Sequence, residues 1–570
     1  MTTIKFKRGT HSAVTGYTSG QIGEPILDLD NNKLYLGQGD GKNPIPLTVD
    51  VNDFVIYNDS GNPGEPGFPN GICHPDDLPT GFTPLPGYDH KTSDTYGNYQ
   101  FSDGSIMVYR PQTWIKVEAE NIVDVKPKSY FVDETAANSA GYFCHDIFKD
   151  DSLTKKGIFC DKYMCSKNAK GTGYIASSIK NGLPISTHAD HNPIADLTAC
   201  SANAYHECLV APKARDGVDG AVNDSSIFFC TPRQLQSYIA ICSLAHGQNS
   251  YGTTYCAWYD STYNYPKGCN NNALGDIDDS QVKWESDGYS NCGKTGSAGY
   301  GGGEGNVFAK STDNGQNCGI ADVNGLMWEV NIGLTCIATA DSIEDISRAS
   351  NAVITLTSHG ILTGATDEDP KFIMITGIGG TGWSALDDKI FTATYVDADN
   401  ISIDFDSSAI VDAYDVGTNG GSVTSGTFYK KLDSVQYVDF TSDNSSATDH
   451  WGSTGVDAMM EEFTPEFLTA NGFTQRYGSG ANQVLSTELS GNDFELLQMG
   501  FPIQDGIDST GTNLFGKDYF YQYIRNELCV LSCGHWVYSS NAGVWVVRWD
   551  GGRTDSSNYV GFRCACYPDD

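Results

Sequence analysis

One stretch of this chain, CTPRQLQSYIAICSLAHG from Cys230 to Gly247, carries a punctuated helical period. Thr231 can cap it, Pro232 suits the first turn, and Leu235, Tyr238, Ile239 and Cys242 recur at helical spacing before Gly247 can end it. SANAYHECLVAP, around Tyr205 and Leu209, is a weaker second helix that Pro212 ends. Elsewhere Gly, Ser, Thr, Asn, Asp and Tyr are plentiful and long apolar helical patterns are scarce, which favours strands and ordered loops. At 570 residues the chain exceeds one ordinary core. The expectation is a β-rich α+β protein of roughly two to four domains.

Residues 1–50 read as a compact β-domain. TIKFKRGT alternates Ile4 and Phe6 against Lys5 and Lys7, and KLYLGQGDG ends a second strand in a Gly/Asp turn. So short a segment buries too little surface to stand alone, so packing against copies of itself is expected. Residues 51–65 are the connector. Residues 59–90 are dense in Pro and Gly, yet Phe68, Ile72, Leu78, Phe82, Leu85 and Tyr88 mark an ordered, pinned loop rather than a linker. Residues 340–426 read as a small all-β domain inserted between 66–339 and 427–570. NAVITLTSHG, KFIMITGIGG, KIFTATYVDADNISIDF and GGSVTSGTF are short strands with turn signals between them. Phe391, Ala393 and Tyr395 share a face, and DADN turns the chain into Ile401, Ile403 and Phe405.

Thirty-five basic against 71 acidic side chains give a formal charge of -36, which repels phosphate backbones and anionic lipid heads. Nucleic acid is not an expected partner, and no apolar run reaches the roughly eighteen residues that span a bilayer. The start MTTIKFKRGT lacks the apolar core of a signal peptide, so export by that route is not expected. The 17 cysteines are odd in number and irregular in spacing, which favours reduced, mostly buried thiols. The pairs Cys160 and Cys165, Cys529 and Cys533, and Cys564 and Cys566 all miss the two-residue gap of zinc knuckles.

His188, Asp190 and His191 in STHADHNP lack further ligands and read as a polar loop. GYGGGEGN, from Gly299 to Asn306, lacks the Lys-Ser/Thr of a phosphate cradle. Neither a nucleophile elbow nor an HExxH motif occurs, and adjacent acids such as Glu461 and Glu462 are expected by chance in so acidic a chain. Neither catalytic residues, a metal nor a cofactor is expected.

The C-terminal stretch from Trp536 is different. Val544, Val546 and Arg548 alternate with Trp545, Val547 and Trp549, so a strand here would turn one row of side chains inward and another outward. YSSNAG and TDSSNY around it supply the Tyr, Ser, Asn, Asp and Gly of binding loops, a palette also compatible with solvated turns.

Several motifs together carry a resemblance. CGIADVNGLMWEV, from Cys318 to Val330, is similar to the signature of C-type-lectin-like domains related to formylglycine-generating enzyme. FCDKYMCSKNAKG, TPRQLQSYIAICSLAHG and YPKGCNNNALGD look like earlier parts of that domain, and CGHWVYSSNAGVW with GGR and NYVGFRCA resembles its ending. Within that superfamily the ending looks like the retroelement-diversified variable proteins of phages and bacteria. IKFKRGT with GEPILDLDNNKLYLGQGDGKNPIPL resembles the trimerising N-terminal domain of phage tail-fibre proteins, and residues 340–426 are similar to a β-module inserted in phage tail proteins.

The resemblance implies a homotrimeric tail-fibre tip, held to other tail proteins by its N-terminal domain and assembled in the host cytoplasm. It binds a host-surface receptor, protein or glycan, through a hypervariable lectin-like surface. The site residues it implies are His535, Val537, Tyr538, Ser540, Asn541, Trp545, Arg548, Asp550, Gly551, Asp555, Ser557, Asn558 and Tyr559, set on a scaffold of Trp536, Ala542, Gly543, Arg553, Gly561, Phe562 and Arg563. The enzymatic relatives hold copper on two cysteines shortly after the motif that ends in Trp536. Here Val537, Tyr538, Ser539 and Ser540 follow, so oxidase activity is not expected. A cell-surface variable protein of a bacterium or prophage and an enzyme acting on surface polysaccharide are the alternatives. The insert can be a spacer or a second, glycan-directed face.

Overall fold

The computed structural model describes residues 56–117, 123–150, 153–200, 207–252, 254–259, 308–323, 325–362, 371–430, 461–465, 467, 474–476, 491–500, 518–535 and 542–569, with the strands 7–9, 25–28, 33–36 and 45–50. The chain is a β-rich α+β protein built of mostly antiparallel sheets with few helices. It divides into two compact units, Met1–Tyr57 and Asn58–Asp570. In the first, Lys7–Gly9, Pro25–Asp28, Lys33–Leu36 and Ile45–Asp50 form a four-stranded sheet in chain order, parallel between the first two strands and antiparallel thereafter. Ile4 and Phe6 lie outside the described residues.

The second unit holds two six-stranded sheets. One runs in the order Phe229–Cys230, Cys564–Cys566, Gly157–Asp161, Ile106–Pro111, Asn98–Phe101 and Phe82–Pro84. The last strand of the chain is thus an interior strand, with Ala565 opposite Phe229 on one side and Cys566 opposite Phe159 on the other. The other sheet runs Thr474–Arg476, Tyr519–Tyr521, Val547–Arg548, Val530–Ser532, Trp328–Asn331 and Val560–Gly561.

The expected helix is present as Arg233–Asn249, with different ends and different surroundings. Pro232 is its N-cap, and the Arg233 N–H donates to the Ile332 carbonyl at 2.9 Å, so Thr231 does not cap it. Gly247 lies inside the last turns, and Ser250 is the C-cap. Every residue from Arg233 to Gly247 is buried, polar ones included. Burial without a partner would cost each polar group about 1–3 kcal/mol, and the partners are there. Gln236 Nε2 donates to Glu329 Oε2 at 2.8 Å, Ser237 Oγ to the Leu497 carbonyl at 2.9 Å, and Ser243 Oγ to the Asp313 carbonyl at 2.5 Å. The weaker helix is Glu207–Val210, which passes into a 3-10 turn at Ala211–Ala214 with Pro212 in its first turn. Tyr205 lies outside the described residues.

Residues 59–90 are pinned at one end to the Arg233–Asn249 helix and at the other to a cluster of Phe101, Phe159 and Phe228. Phe68, Ile72 and Phe82 are buried and Leu78, Leu85 and Tyr88 half-buried. The Phe68 ring stacks on His246 at 5.7 Å, and His246 Nδ1 accepts the Gly64 N–H at 3.0 Å.

Seven strands between Leu334 and Lys430, with Glu461–Phe463 as the eighth, form an antiparallel sheet over the region read as an insert. Leu334–Ser342 pairs with Ser422–Lys430 residue for residue, from Leu334 opposite Lys430 to Ser342 opposite Ser422. Leu334, Cys336 and Phe428 lie in the main core, whereas Ile343 and Val423 belong to a separate core with Trp383, Phe391 and Ile401. Lys389–Asp397 and Asn400–Ile403 form the hairpin across DADN, with Ala393 opposite Ile403. Glu461 is in a strand bordering this sheet and pairs with Lys430 at 3.3 Å, a structural use for one of the paired acids. The 15 cysteines among the described residues are all buried and free of disulfides. No helix among the described residues is long and apolar enough to cross a membrane.

Candidate functional site

The frame of the C-terminal surface is buried polar chemistry. Arg563, fully buried, donates from Nε to Glu329 Oε1 at 2.9 Å and from its other nitrogens to the Lys162 and Ala321 carbonyls at 3.0 and 2.6 Å. Burial alone would lower the Arg563 pKa, but Glu329 reverses this and holds it above the ordinary range. Burial pushes the Glu329 carboxyl up, against the opposing pull of Arg563. Arg553, also buried, pairs with Glu527. Gly534 has a φ of +80°, and a Cβ on Gly543 would fall 2.1 Å from the Asp518 carboxylate that accepts the Trp545 N–H at 2.9 Å. Gly534 is therefore demanded by its backbone conformation, and Gly543 by the space the Asp518 carboxylate takes.

On this frame lies a row of side chains drawn from distant segments. The Tyr559 and His535 rings stack with centroids 4.2 Å apart and planes 9° from parallel. His535 is 6.1 Å from the Trp328 ring, and the Arg548 guanidinium lies 5.6 Å over the same ring. Arg548 in turn makes a two-point pair with Asp550, the Nη2 to Oδ2 bond measuring 2.9 Å. Burial, then the neighbouring Arg548 charge, pull the His535 pKa down to about 3, so its ring is neutral near pH 7. Trp328 is held by the sheet, opposite Val560, with its backbone N–H donating to the Tyr559 carbonyl at 2.9 Å.

The loop that follows is held from two sides. Arg525 reaches Asp555 Oδ1 at 3.3 Å, and Asp555 Oδ2 accepts the Gly552 N–H at 2.9 Å. Thr187 Oγ1 accepts the Ser557 N–H at 2.9 Å and donates to its carbonyl at 3.1 Å, while Ser556 Oγ donates to the Thr187 carbonyl. STHADHNP is therefore a buttress of the candidate surface. Its His188 Nδ1 accepts the Asp190 N–H at 3.0 Å, and burial lowers the His191 pKa to about 4. Among the described residues, His, Cys and carboxylate ligand atoms converge instead at Asp161, Cys165 and Cys564.

The predicted site residues divide. Arg548, Asp550, Asp555, Ser557, Asn558 and Tyr559 are partly exposed. Val537, Tyr538, Ser540 and Asn541, with Trp536, lie outside the described residues. Three need correction. Trp545 is fully buried in the main core and has no surface to offer a partner. Gly551 is buried, its carbonyl accepting the Cys529 N–H at 2.8 Å. His535 is 5% exposed and lies beneath Tyr559 rather than beside it.

The expected inward and outward alternation fails for one reason. Only Val547–Arg548 is strand, hydrogen-bonded between Tyr519–Tyr521 and Val530–Ser532, while Val544 and Trp545 lie in the turn before it. Val544, Trp545, Val546, Val547 and Trp549 are all buried, and the Trp549 ring packs on Phe428 at 5.2 Å. Arg548 alone keeps an outer edge. Sequence reasoning missed the buried Trp328 and Thr187 and the half-exposed Arg525 as supports of the surface, along with the exposed Thr554 and Ser556. Trp328 stood within the MWEV motif, whereas Thr187 and Arg525 carried no signal.

No family model matches the chain, and no curated protein matches it. Among solved structures the chain is similar to the Major Tropism Determinant U1 variant and I1 variant, each at 10% identity and a TM-score of 0.22 with 99% of both chains covered. The M1 variant follows at 12% identity and a TM-score of 0.17, again over 99% of both chains. At such scores the functional reading rests on the residues themselves.

Proposed function

We propose that this chain is a non-enzymatic receptor-binding protein at the tip of a phage tail fibre, and that its C-terminal surface grips a host-surface molecule, protein or glycan. The observation that carries the reading is the Tyr559, His535, Trp328, Arg548 and Asp550 row, in which the partly exposed Tyr559, Arg548 and Asp550 are held by the buried His535 and Trp328. Anchors held in one geometry lose little entropy on binding. Tyr and Arg are also the side chains that most often dominate an interface.

In this reading Arg548, Asp550, Asp555, Ser557, Asn558 and Tyr559, with Val537, Tyr538, Ser540 and Asn541, are the exchangeable positions. Arg563, Arg553 and Gly543 belong to the constant frame, and Trp545 joins them. The N-terminal β-domain trimerises and attaches the chain to the tail, so three weak sites add into avidity on a host that displays many receptors.

The test is adsorption of purified protein to host cells. Replacing Tyr559 and Arg548 together by Ala is expected to lower binding at least tenfold while near-UV circular dichroism stays unchanged. Unchanged adsorption by a folded double variant refutes the site, and release of oligosaccharide from host polysaccharide by the wild-type protein refutes the non-enzymatic reading.

A further inference from the structure

We propose that Cys165 and Cys564 are a latent disulfide, two buried thiols that hydrogen peroxide closes into a clamp holding the C-terminal strand in its sheet. Their sulfurs lie 3.6 Å apart although the residues are 399 positions apart in the chain. Both side chains are buried. The backbones are already locked together, since the Cys165 N–H donates to the Phe562 carbonyl at 3.0 Å and the Cys564 N–H to Asp161 Oδ2 at 2.8 Å. Closing the bond requires the sulfurs to approach to about 2.05 Å.

The same atoms invite a metal reading, because Asp161, Cys165 and Cys564 present ligand atoms within 4.8 Å of one another. Arg215 argues against it. Its guanidinium, fully buried, pairs with both Asp161 oxygens at 2.7 and 2.8 Å and lies 3.6 Å from Cys165 Sγ. A cation at this point would stand against a buried positive charge or leave that charge unpaired, either of which is costly where solvent is excluded. Two neutral thiols, or a neutral disulfide, leave the Arg215–Asp161 pair intact.

The surrounding groups suit the chemistry. Cys165 Sγ–H donates to Asp161 Oδ2 at 3.3 Å, so the carboxylate can take the proton while Arg215 stabilises the thiolate. Burial holds the Cys165 thiol well above its ordinary pKa, so its thiolate is scarce and oxidation is slow. The thiolate sulfur attacks one peroxide oxygen, the O–O bond breaks, and water leaves with the proton that Asp161 received, giving a sulfenic acid. The Cys564 sulfur then attacks the sulfenic sulfur. The S–O bond breaks as the S–S bond forms, and the departing hydroxide takes the Cys564 proton. Two thiols are oxidised by two electrons, and one peroxide becomes two waters. The clamp rests on the fold alone and does not depend on the receptor-binding reading.

The test uses the full chain, reduced, freed of reductant and treated with hydrogen peroxide. Remaining thiols are alkylated in denaturant and the protein is digested with trypsin. The expected product is the 163–167 peptide joined to the 564–570 peptide, two hydrogens lighter than their sum and released by reductant. The link should survive in Cys566→Ser and disappear in Cys564→Ser. The oxidised protein should also unfold at higher denaturant than the reduced protein, a difference absent in Cys165→Ser. Full alkylation of both peptides after peroxide, a link that persists in Cys564→Ser, or one tightly bound zinc per untreated chain that vanishes in Cys165→Ser would each overturn the proposal.

Discussion

Removal of the Arg563 guanidinium should be among the most damaging single changes in the second unit. Arg563 and Glu329 are both fully buried and 2.9 Å apart, and Arg563 also satisfies the Lys162 and Ala321 carbonyls. Arg563→Met strands a buried carboxylate to which Gln236 Nε2 still donates at 2.8 Å and takes its hydrogen bond from the Ala321 carbonyl, whereas the Lys162 carbonyl keeps the Ala321 N–H at 2.9 Å. Breaking one partner of a buried pair costs about 3–5 kcal/mol. Glu329→Met leaves the guanidinium uncompensated and should cost a similar amount. The double variant Arg563→Met with Glu329→Met removes both desolvated charges and should lose about 2–4 kcal/mol, far less than the sum of the single losses.

The assay is denaturant unfolding followed by the fluorescence of the buried tryptophans, Trp328, Trp545 and Trp549 among them. A pH arm separates charge from packing. In Arg563→Met the Glu329 pKa, already raised by burial, rises further because the charge opposing that rise is gone. A folded-state carboxyl pKa above the unfolded value gives stability at low pH that is lost as pH climbs, so this variant should be worse at pH 8 than at pH 5. Single losses that add to the double loss within about 0.5 kcal/mol would refute the coupling. So would a cost below about 1 kcal/mol for Arg563→Met.

Three further outcomes follow from the same geometry. Gly543→Ala places a Cβ about 2.1 Å from the Asp518 carboxylate and should cost about 2–4 kcal/mol by overpacking and by loosening the Trp545 N–H bond, read as a lower unfolding midpoint. His246 is fully buried, with its pKa lowered by burial from 6.5 to about 4, so the unfolded chain binds its proton first. Its share of stability is whole above pH 6.5 and falls by about 3 kcal/mol towards pH 4, and His246→Gln should flatten that part of the acid-unfolding profile. Thr187→Val removes both hydrogen bonds to Ser557 and should cost about 1–2 kcal/mol, with faster amide exchange at 555–559 and weaker host adsorption.

Local order was legible in the chain because it depends on neighbours a few positions away. Turn residues after Asp397, alternation through Phe391, Ala393 and Tyr395, and Pro232 before a helical period each predict the element that forms. The aromatic residues scattered through 59–90 likewise marked a pinned loop, since apolar groups at those intervals must find a core. Periodicity describes one element and says nothing of what covers its other face. The Arg233–Asn249 helix is buried on every side because Glu329, Leu497 and Asp313 supply partners for its polar positions.

Trp545 became core for the same reason, since the turn that carries it is packed into the main core ahead of the Val547–Arg548 strand. The row beneath and at the surface drew Trp328, His535, Arg548 and Tyr559 from separate segments, and Thr187 came to brace a loop 370 residues further along. The sequence by itself determined which segments become strands, which one becomes the long helix, and that the C-terminal loops are rich in groups suited to binding. Only the tertiary structure decided which of those groups face outward and that Cys165 lies against Cys564, because burial and partnership are set by segments hundreds of residues away.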